Sequence, residues 1–456
     1  MKPFSSIPGP RSWPLIGNLH EYTVSKKYDF QRLYKNGLSK YREFGPVVKE
    51  EIVSGLPIVW IFDPQDVKAM FMAEGKFPSR RSHLALEHYR KSKPEVYNNG
   101  GLLPTNGCEW SRLRLAAQKP LTMALLEGHK KAINEASLDF CSKIRHQRSV
   151  DNILEELKGF FLEVTGLVVL GTSLKAMQGH NEAETLIKAA MDTNAHVLKT
   201  DNDLRLWRFF ETADYKKIKA SQGQIEEIAL KYVRDSRKFS SNSLINCYKD
   251  QNCLDSKDIV TIIGDFLFAG IDTSANSMAF LLHELAKNEL VQESLGREVQ
   301  NVDFDSLKAF KLGKAIIKES LRLHPISVGI GRNLAFDAAF SGYFIPKGTL
   351  VVTQNQISCR LPEFCPVKPD SFWPFRYLNN EGHNDERLHP FLALPFGFGP
   401  RMCIGRRLAE MSMQILLLQV AKAFFIHTDN DGDLGCINYL INQPEYPVKL
   451  TFQPKK

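Results

Sequence analysis

The sequence lacks most of the features that mark unusual classes of protein. It has no internal repeat, no low-complexity tract and no apolar run near the ~20 residues that span a bilayer. Its 456 residues are 43% hydrophobic and 24% charged, which excludes disordered and collagen-like chains. The first residues, MKPFSSIPGPRSWPLIGNL, lack a signal-peptide core and an arginine-rich transit helix. We therefore expect either a soluble chain or a targeting segment that is not part of this sequence.

The eight cysteines of the sequence form no recognisable motif of their own. They are scattered without any Cys-x-x-Cys pair, which excludes a disulfide scaffold and favours a reducing compartment. The 59 basic residues exceed the 51 acidic ones by eight, an excess that suits an acidic protein partner or an anionic membrane surface. No dense basic stripe with interleaved aromatic residues exists, so nucleic acid is not expected as a partner.

Hydrophobic periodicity predicts a mainly helical protein with a small β-rich portion near the amino end. Two strands are predicted at Val47–Val53 and Pro57–Phe62, and long amphipathic helices dominate from Pro64 onward. The longest predicted helix, Asp258–Lys287, is apolar on most faces, so we expect it at the centre of the molecule. A last long helix is predicted over Ile404–Phe425, followed by a β-like tail.

The most specific stretch is Phe396-Gly-Phe-Gly-Pro-Arg-Met-Cys-Ile-Gly-Arg406. Its glycines allow tight turns and a close approach of the backbone to a flat ligand. Cys403 comes directly before the last helix, whose N-terminal dipole and free amides stabilise a thiolate, a good soft ligand for iron. From these residues alone, a buried and inert cysteine remains the alternative.

The whole pattern resembles the cytochrome P-450 superfamily. Phe396, Gly399, Arg401, Cys403 and Gly405 match the spacing of its haem-binding loop. Three more segments resemble its motifs in the same order: Glu319-Ser-Leu-Arg322, Pro369-Asp-Ser-Phe-Trp-Pro-Phe-Arg376 and Ala269-Gly-Ile-Asp-Thr-Ser274. Tyr377 stands where that family usually has tryptophan, and Ser274 where a second threonine is commoner. The resemblance implies a haem-thiolate monooxygenase with the family's mainly α fold, as one domain over 1–456 with a Pro-rich hinge at 1–20.

The resemblance also implies a cofactor and the residues that hold it. The cofactor is one haem b, bound non-covalently, since no Cys-x-x-Cys-His attachment motif exists. It implies Cys403 as the axial iron ligand, with Phe396 packed beside the sulfur and Gly405 in the turn whose amides bond it. It assigns the haem propionates to four further residues: Trp110, Arg114, Arg332 and Arg401. For the first three of these, a surface salt bridge or core packing is the alternative.

Two motifs receive different roles. Glu319 and Arg322 are three residues apart on a helix and can pair locally, and the resemblance adds Arg376 to a structural network that locks the cysteine loop. On the central helix, Thr273 can donate back to the carbonyl of Ala269. By resemblance, Thr273 and Asp272 relay protons during the activation of O2. A helical threonine that only satisfies itself is the alternative, and Gly270 is expected to leave room for a small ligand or water.

The electron donor is inferred from a basic helix face. The segment around Lys314 and Lys318 resembles the mitochondrial branch of the family, which uses two such lysines to bind an acidic [2Fe-2S] ferredoxin. Arg406 and Arg407 would add positive charge nearby. The branch implies a matrix-side location at the mitochondrial inner membrane with peripheral membrane contact. A solvated basic face is the alternative.

The expected substrate is a steroid. Arg80-Arg-Ser-His-Leu-Ala-Leu-Glu-His-Tyr-Arg90, with Gly100–Gly107, resembles the insect mitochondrial ecdysteroid 22-hydroxylases. The alternatives are another mitochondrial sterol or steroid hydroxylase, a haem-thiolate isomerase or dehydratase, and a haem- or sterol-binding protein without turnover. Apolar contacts with the substrate are expected from seven residues, which could equally be core: Leu84, Phe268, Ala269, Ile326, Val328, Leu440 and Ile441.

Overall fold

Helices make up most of the chain, as the sequence predicts. The computed structural model describes residues 1–378, 388–430 and 432–455. In these ranges the α-helices are α1 (Leu19–Thr23), α2 (Leu33–Phe44), α3 (Pro64–Met72), α4 (Leu84–Lys91), α5 (Gly107–Gln118), α6 (Met123–Gln147), α7 (Ile153–Thr165), α8 (Asn181–Asn202), α9 (Ala213–Asp235), α10 (Leu244–Lys249), α11 (Ser256–Ala269), α12 (Asp272–Lys287), α13 (Glu289–Glu298), α14 (Lys311–Leu323), α15 (Asn355–Ser358) and α16 (Arg406–Ala423). None of these helices is both long and apolar enough to cross a membrane.

The strands are short and form four small sheets. In chain order they are β1 (Val47–Glu50), β2 (Ile58–Ile61), β3 (Ser149–Val150), β4 (Gly331–Asn333), β5 (Ala338–Phe340), β6 (Tyr343–Ile345), β7 (Leu350–Thr353), β8 (Phe424–His427), β9 (Ile437–Tyr439), β10 (Ile441–Gln443) and β11 (Leu450–Pro454). The main sheet has the order β1-β2-β7-β4, and only its β2–β7 pair is parallel. The two predicted amino-terminal strands are therefore present but shorter than predicted.

The proline-rich amino terminus lies against two of these sheets. Lys2 bridges to Tyr343 of β6, the Lys49 amide of β1 donates to the carbonyl of Pro8, and Ile7 is buried in the small core beside the main sheet. A Cβ on Gly9 would lie 1.8 Å from the carbonyl oxygen of Lys49, so only glycine fits there. Residues 2–9 are thus ordered by backbone contacts with both β6 and β1.

The central helix differs from the prediction. The sequence predicts one helix over Asp258–Lys287, whereas the structure ends α11 at Ala269 and starts α12 at Asp272. Glycine has low helix propensity, and Gly270 stands at this break. The Thr273 hydroxyl donates to the carbonyl of Ala269 at 2.8 Å, and such back-bonding bends helices.

Other boundaries follow local chemistry. The last helix is α16, which ends at Ala423 rather than at Phe425 because Phe424 has extended backbone angles and begins β8. The largest core combines residues from α4 to β11, with α6, α7, α9, α11, α12 and α16 as its main contributors. The break between α11 and α12, which carries one motif, and the loop before α16, which carries another, are therefore attached to the same core.

Candidate active site

The cysteine loop is shaped by two glycines and closed by backbone hydrogen bonds. Gly397 and Gly399 have positive φ angles of 74° and 73°, which L side chains rarely adopt. The Cys403 amide donates to the carbonyl of Phe396 at 2.8 Å, which turns the chain directly into α16. A Cβ on Gly399 would also lie 2.5 Å from a carboxylate oxygen of Glu74, so the loop is packed tightly at that point.

Cys403 is an exposed cysteine, so the alternative of a buried side chain does not hold. Desolvation by the surrounding loop raises the pKa of its thiol, whereas the backbone N–H groups of Gly405 and Arg406 and the guanidinium of Arg114 act in the opposite direction. A metal ion on the sulfur would deprotonate it outright. The described ranges contain no cluster of three or more His, Cys, Asp or Glu side chains suited to a metal, so a metal ion here would need to bring its own further ligands, as haem does.

Four arginines converge near this loop. Three of them were predicted, Arg114, Arg332 and Arg401, and the structure adds Arg80, whose positive charge acts on Arg332, Arg114 and Arg401. Burial and the repulsion of the other three arginines lower the pKa of Arg401 to about 8. Burial, followed by the repulsion of Arg332, lowers the pKa of Arg80 to about 10. These lowered pKa values indicate that the four positive charges lie close together and that nearby negative charges offset them only in part.

The contacts of these arginines leave donors to spare. Arg332 forms a 2.6 Å ion pair with Glu74, and Arg80 donates to the carbonyl of Leu103 at 2.7 and 2.9 Å. Arg401 donates through Nη2 to the Thr105 carbonyl and lies 4.4 Å from the centre of the Trp110 ring. The buried Nε and Nη1 of Arg401 have no hydrogen-bond partner among the described residues.

This arrangement fits the two propionates of a haem. Within the described chain, Glu74 is the carboxylate that pairs with one of the four arginines, so three positive charges face the site without a matching anion. Guanidinium groups match carboxylate forks in geometry and charge. A dianionic ligand would satisfy the Arg401 donors and reduce the mutual repulsion.

In contrast, the charged groups of the Glu319, Arg322 and Arg376 network are paired with one another. Glu319 and Arg322 are completely buried and bond at 2.9 and 3.0 Å, and Arg376 Nε lies 3.1 Å from both Glu319 oxygens. Arg322 also donates to the carbonyls of Cys359 and Pro369, each at 2.7 Å. The three side chains thus fasten α14 to segment 359–376.

That network reaches the cysteine loop through a second set of bonds. Asn355 Nδ2 donates to the carbonyls of Phe391 and Leu392, and the Cys359 thiol lies 3.2 Å from the Leu392 carbonyl oxygen. Segment 388–396 leads directly into the loop. A path of hydrogen bonds therefore runs from Arg322 through segment 355–359 to the chain before Cys403.

Thr273 and Asp272 are neighbours in sequence but face different surroundings. Thr273, like Ala269, remains accessible although it is flanked by buried residues. Asp272 is 1% exposed and its Oδ2 accepts from Asn194 of α8 at 3.1 Å, while its Oδ1 has no partner in the part of the chain that is described. Burial raises the pKa of Asp272 to about 6, against the positive charge of Lys158. Asp272 can therefore exchange a proton near neutral pH.

The expectation for Gly270 is wrong. A Cβ at this position would lie 3.1 Å from the Thr165 hydroxyl and 2.9 Å from the Phe266 carbonyl oxygen. The missing side chain thus makes room for α7, which packs against the break, and not for a ligand.

The expected substrate contacts fall into two groups. Near α11, the His83 ring lies edge-on to Phe268 at 6.3 Å, which brings the start of α4, and with it Leu84, beside the central helix. In the second group, Asn442 donates to the carbonyls of Ile326 and Pro325, so the β9–β10 hairpin with Leu440 and Ile441 lies against segment 325–328. Val328 is buried, whereas Ala269 is accessible.

Leu440 at the hairpin tip has a φ angle of 72°. A branched side chain in this left-handed region is strained, which is common where a side chain must be aimed at a binding site.

The basic face is less uniform than expected. Lys318 is exposed, and its ammonium lies 4.5 Å from the ring centre of Tyr377, the residue that departs from the usual tryptophan. Lys314 is partly buried and donates to the carbonyl of Lys308 at 3.1 Å, and burial lowers its pKa. Arg406 pairs with Glu410 at 3.0 Å, and Arg407 is exposed.

Several site residues were missed by sequence reasoning. Arg80 lies in a segment that the sequence analysis compared only with ecdysteroid 22-hydroxylases. The adjacent pair Arg80-Arg81 was the sequence signal that could have identified it. Glu74 pairs with Arg332 across 258 positions, and Asn194 bonds Asp272 across 78. No local pattern marks either residue.

Several known proteins have similar sequences along nearly the whole chain. The family model for cytochrome P450 matches residues 7–452. Cytochrome P450 302a1, mitochondrial, of Drosophila melanogaster is 40% identical over all of this chain and 96% of its own length. The cholesterol side-chain cleavage enzyme, mitochondrial, of Capra hircus is 30% identical over 99% of this chain and 90% of its own. The 1,25-dihydroxyvitamin D(3) 24-hydroxylase, mitochondrial, of Mus musculus is 28% identical over 99% and 89%.

The crowded arginines predict that one substitution, Arg401→Gln, weakens haem binding but stabilises the protein without haem. In Arg401→Gln, haem should dissociate faster, because a propionate partner is lost. The variant without haem should be more stable than the wild type at pH 7, because one repelling charge is removed. Thermal unfolding of both forms and haem transfer to apomyoglobin measure these effects.

Salt dependence provides a second readout. Added salt weakens the repulsion between the guanidinium groups, so the stability gain of the Arg401→Gln apoprotein over the wild type should shrink as the salt concentration rises. Arg407→Gln, an exposed arginine, is the control and should change neither quantity. Equal haem loss in both variants would contradict the assignment.

Proposed function

Because the chain belongs to the cytochrome P450 family, it is a haem-b monooxygenase, and we propose that it hydroxylates a steroid in mitochondria. The finer proposal is hydroxylation at carbon 22 of an ecdysteroid precursor, which converts 2,22-dideoxyecdysone to 2-deoxyecdysone. The observation that carries the proposal is the full-length 40% identity with a mitochondrial P450 of an insect. The resemblance of residues 80–90 to ecdysteroid 22-hydroxylases supports the choice of substrate.

Relatives with named substrates support the broader class. One is named for cholesterol side-chain cleavage and one for 24-hydroxylation of a vitamin D derivative, and both match along nearly all of the chain. Both names describe reactions of sterol-type molecules with an aliphatic side chain. A carbon-22 hydroxylation would likewise act on a sterol side chain.

The haem would be held from two sides. Cys403 would hold the iron through its thiolate, with the Gly405 amide directed at the sulfur and Phe396 packed against the main core. Trp110, with Arg114, Arg332, Arg401 and Arg80, would hold the propionate edge. When bound, haem supplies the iron at which O2 is activated. Glu319, Arg322 and Arg376 would keep the cysteine loop in place without touching the reacting atoms.

The chain's own residues would move the protons. Asp272 has a pKa near 6, so it both accepts and releases a proton at neutral pH. The Thr273 hydroxyl donates to Ala269 and remains accessible, so it could pass a proton toward the site when it breaks that bond. The unpartnered Oδ1 of Asp272 would be the atom that holds the proton in this buried position.

The substrate would lie among apolar side chains. Phe268 and Leu84 would form one wall, and Ile326, Val328 and the Leu440–Ile441 tip the other. The position of the substrate along these walls would decide which of its carbons is oxidised, since regiochemistry depends on proximity and orientation.

Electrons would come from a [2Fe-2S] ferredoxin bound at the Lys318 face, and the protein would contact the matrix side of the inner membrane. Segment 203–212 supports membrane contact, because it exposes Phe209 by 85% and Phe210 by 58% beside Arg205 and Arg208. Aromatic and basic side chains together suit an anionic lipid surface.

A reconstituted assay tests the substrate. With ferredoxin, its reductase and NADPH, 2,22-dideoxyecdysone should give 2-deoxyecdysone, identified by mass and fragmentation. Cys403→Ser should give no product, whereas Cys253→Ser, at an exposed cysteine, should be unaffected. Hydroxylation at carbon 2 or 25, or turnover of another lipid only, would replace the ecdysteroid proposal by another sterol hydroxylase. Product formed without ferredoxin and O2 would indicate an isomerase or dehydratase.

The proton role of Thr273 predicts uncoupling. Thr273→Ala should lower product formed per NADPH by at least about tenfold and release peroxide, since a positioned proton donor is lost. Ser277→Ala is the matched control, because Ser277 donates to the carbonyl of Thr273 in the same way, at 2.8 Å. Unchanged coupling in Thr273→Ala would indicate a different proton source, whereas a wild type that oxidises no NADPH with any substrate would be a binding protein without turnover.

The ferredoxin proposal predicts an electrostatic effect. Lys318→Glu should raise the apparent KM for ferredoxin by about fivefold or more at low salt, and less at high salt, because screened charges attract weakly. Substrate binding should stay unchanged. Lys188→Glu, an exposed lysine on α8, makes the same charge change and should have little effect. Better support from a flavin reductase than from ferredoxin would contradict the mitochondrial assignment.

A further inference from the structure

The β9–β10 hairpin carries two buried amide side chains. Asn438 and Asn442 are 2% and 1% exposed, and they stand opposite each other on the paired strands. The Asn438 Nδ2 donates to the Asn442 Oδ1 at 3.0 Å. The two strands are therefore joined by side chains as well as by backbone, and Leu440 lies at the tip between them.

Asn442 connects this hairpin to two other segments of the chain. Its Nδ2 donates to the carbonyl of Pro325 at 2.7 Å and to the Oε1 of Gln356 in α15 at 2.9 Å. Its backbone N–H donates to the carbonyl of Ile326 at 2.8 Å. A backbone carbonyl can only accept, so the amide of Asn442 must direct its Nδ2 at Pro325. Both donors and the oxygen of this side chain are then engaged, which fixes it in one orientation.

Segment 325–328 is itself anchored to the central helix. His324 comes directly before it, and the Nε2 of His324 lies 2.8 Å from the Oε1 of Glu284 in α12. The ring of His324 also stacks on that of Phe280, with ring centres 4.5 Å apart. Asn442 therefore ties the hairpin to a segment that α12 already holds in place.

The same bonds explain how the hairpin tip keeps an unfavourable backbone. Leu440 has a φ angle of 72°, and strain of this kind persists only where the surrounding contacts over-determine the chain. The bonds of Asn442 supply such contacts on one side of the tip. On the other side, the backbone N–H of Asn438 donates to the carbonyl of Gln31 at 2.8 Å. The amide network thus pre-organises the tip.

We propose that Asn442 is a positioning residue that sets the spacing between two parts of the substrate wall, segment 325–328 and the tip at Leu440 and Ile441. It acts through the apolar side chains on either side of it and touches neither steroid nor haem. The spacing limits which carbon of the substrate can approach the iron, since regiochemistry depends on proximity and orientation. The inference rests on the proposed function for the nature of the substrate, whereas the spacing can be tested with any ligand that fills the site.

Asn442→Leu tests this role, because leucine is similar in size but cannot donate to Pro325 or Gln356. The variant should retain haem, since the partners of Asn442 lie outside the cysteine loop. Asn246→Leu is the matched control: Asn246 of α10 is 2% exposed, and its Nδ2 likewise donates to two backbone carbonyls. If the leucine variant does not hold haem, the smaller change Asn442→Ser takes its place.

Two iron-binding probes of different size give the first readout on the haem-loaded enzyme. In Asn442→Leu, the Kd of the bulky azole clotrimazole should rise at least about fivefold, because a tip that is no longer pre-organised must be ordered on binding. The Kd of imidazole, which is too small to reach both parts of the wall, should change by less than about twofold. Asn246→Leu should change neither value.

Product analysis gives the second readout. With the ecdysteroid precursor, Asn442→Leu should form at least one monohydroxylated product that the wild type does not form, because the side chain of the substrate is held less precisely. Asn246→Leu should give the wild-type product alone. Weaker clotrimazole binding with an unchanged product would overturn the proposal, since Asn442 would then affect affinity without positioning the substrate.

Three further outcomes would also overturn it. They are an unchanged Kd for clotrimazole, an equal rise for imidazole or in Asn246→Leu, and loss of haem from both Asn442 variants. In the last case Asn442 would only stabilise the fold. If the wild type turned over no ecdysteroid, the proposed function would fail, and the comparison of the two azoles would still decide the role of Asn442.

Discussion

The site depends on positive charge that the protein concentrates but does not neutralise. Arg80, Arg114, Arg332 and Arg401 come from four separated parts of the chain, and within the described ranges they share one carboxylate, Glu74. Burying cations without partners costs free energy, so the fold must hold these segments together by other means. The large core around α11, α12 and α16 does this. An anionic cofactor then stabilises the fold in the same interactions that orient it.

The network around Glu319 follows the opposite logic. Its carboxylate accepts from Arg322, from Arg376 and from the Trp373 amide, and the arginines use their remaining donors on backbone carbonyls. Every charge there has an internal partner, so the network needs no ligand to be stable. One group of arginines therefore has internal partners and the other has donors left for an anionic ligand, although, apart from Arg80, both were recognised from sequence motifs of the same family.

Sequence patterns predicted the fold class and the order of the motifs, because both depend on local periodicity and fixed spacing. The bond from Thr273 to Ala269 was predictable for the same reason, since it spans one helical turn. The break at Gly270 was missed because the flanking residues are apolar enough to continue one helix. The contact of Thr165 with Gly270, like that of Asn194 with Asp272, depends on how α7 and α8 pack, which no local pattern encodes.

The two faces of the haem site differ in how their parts are fastened, and this has a physical reason. The cysteine side must keep one sulfur at one position, and it is held by buried ion pairs and loop glycines that allow little movement. On the substrate side, the start of α4 packs its buried Ala85 and Leu86 against the core, and the Asp201 carboxylate accepts the N–H groups of His83 and Leu84. The two sides of the site are therefore fastened by different interactions within one packed core: buried ion pairs on the cysteine side, and apolar packing with a helix cap on the other.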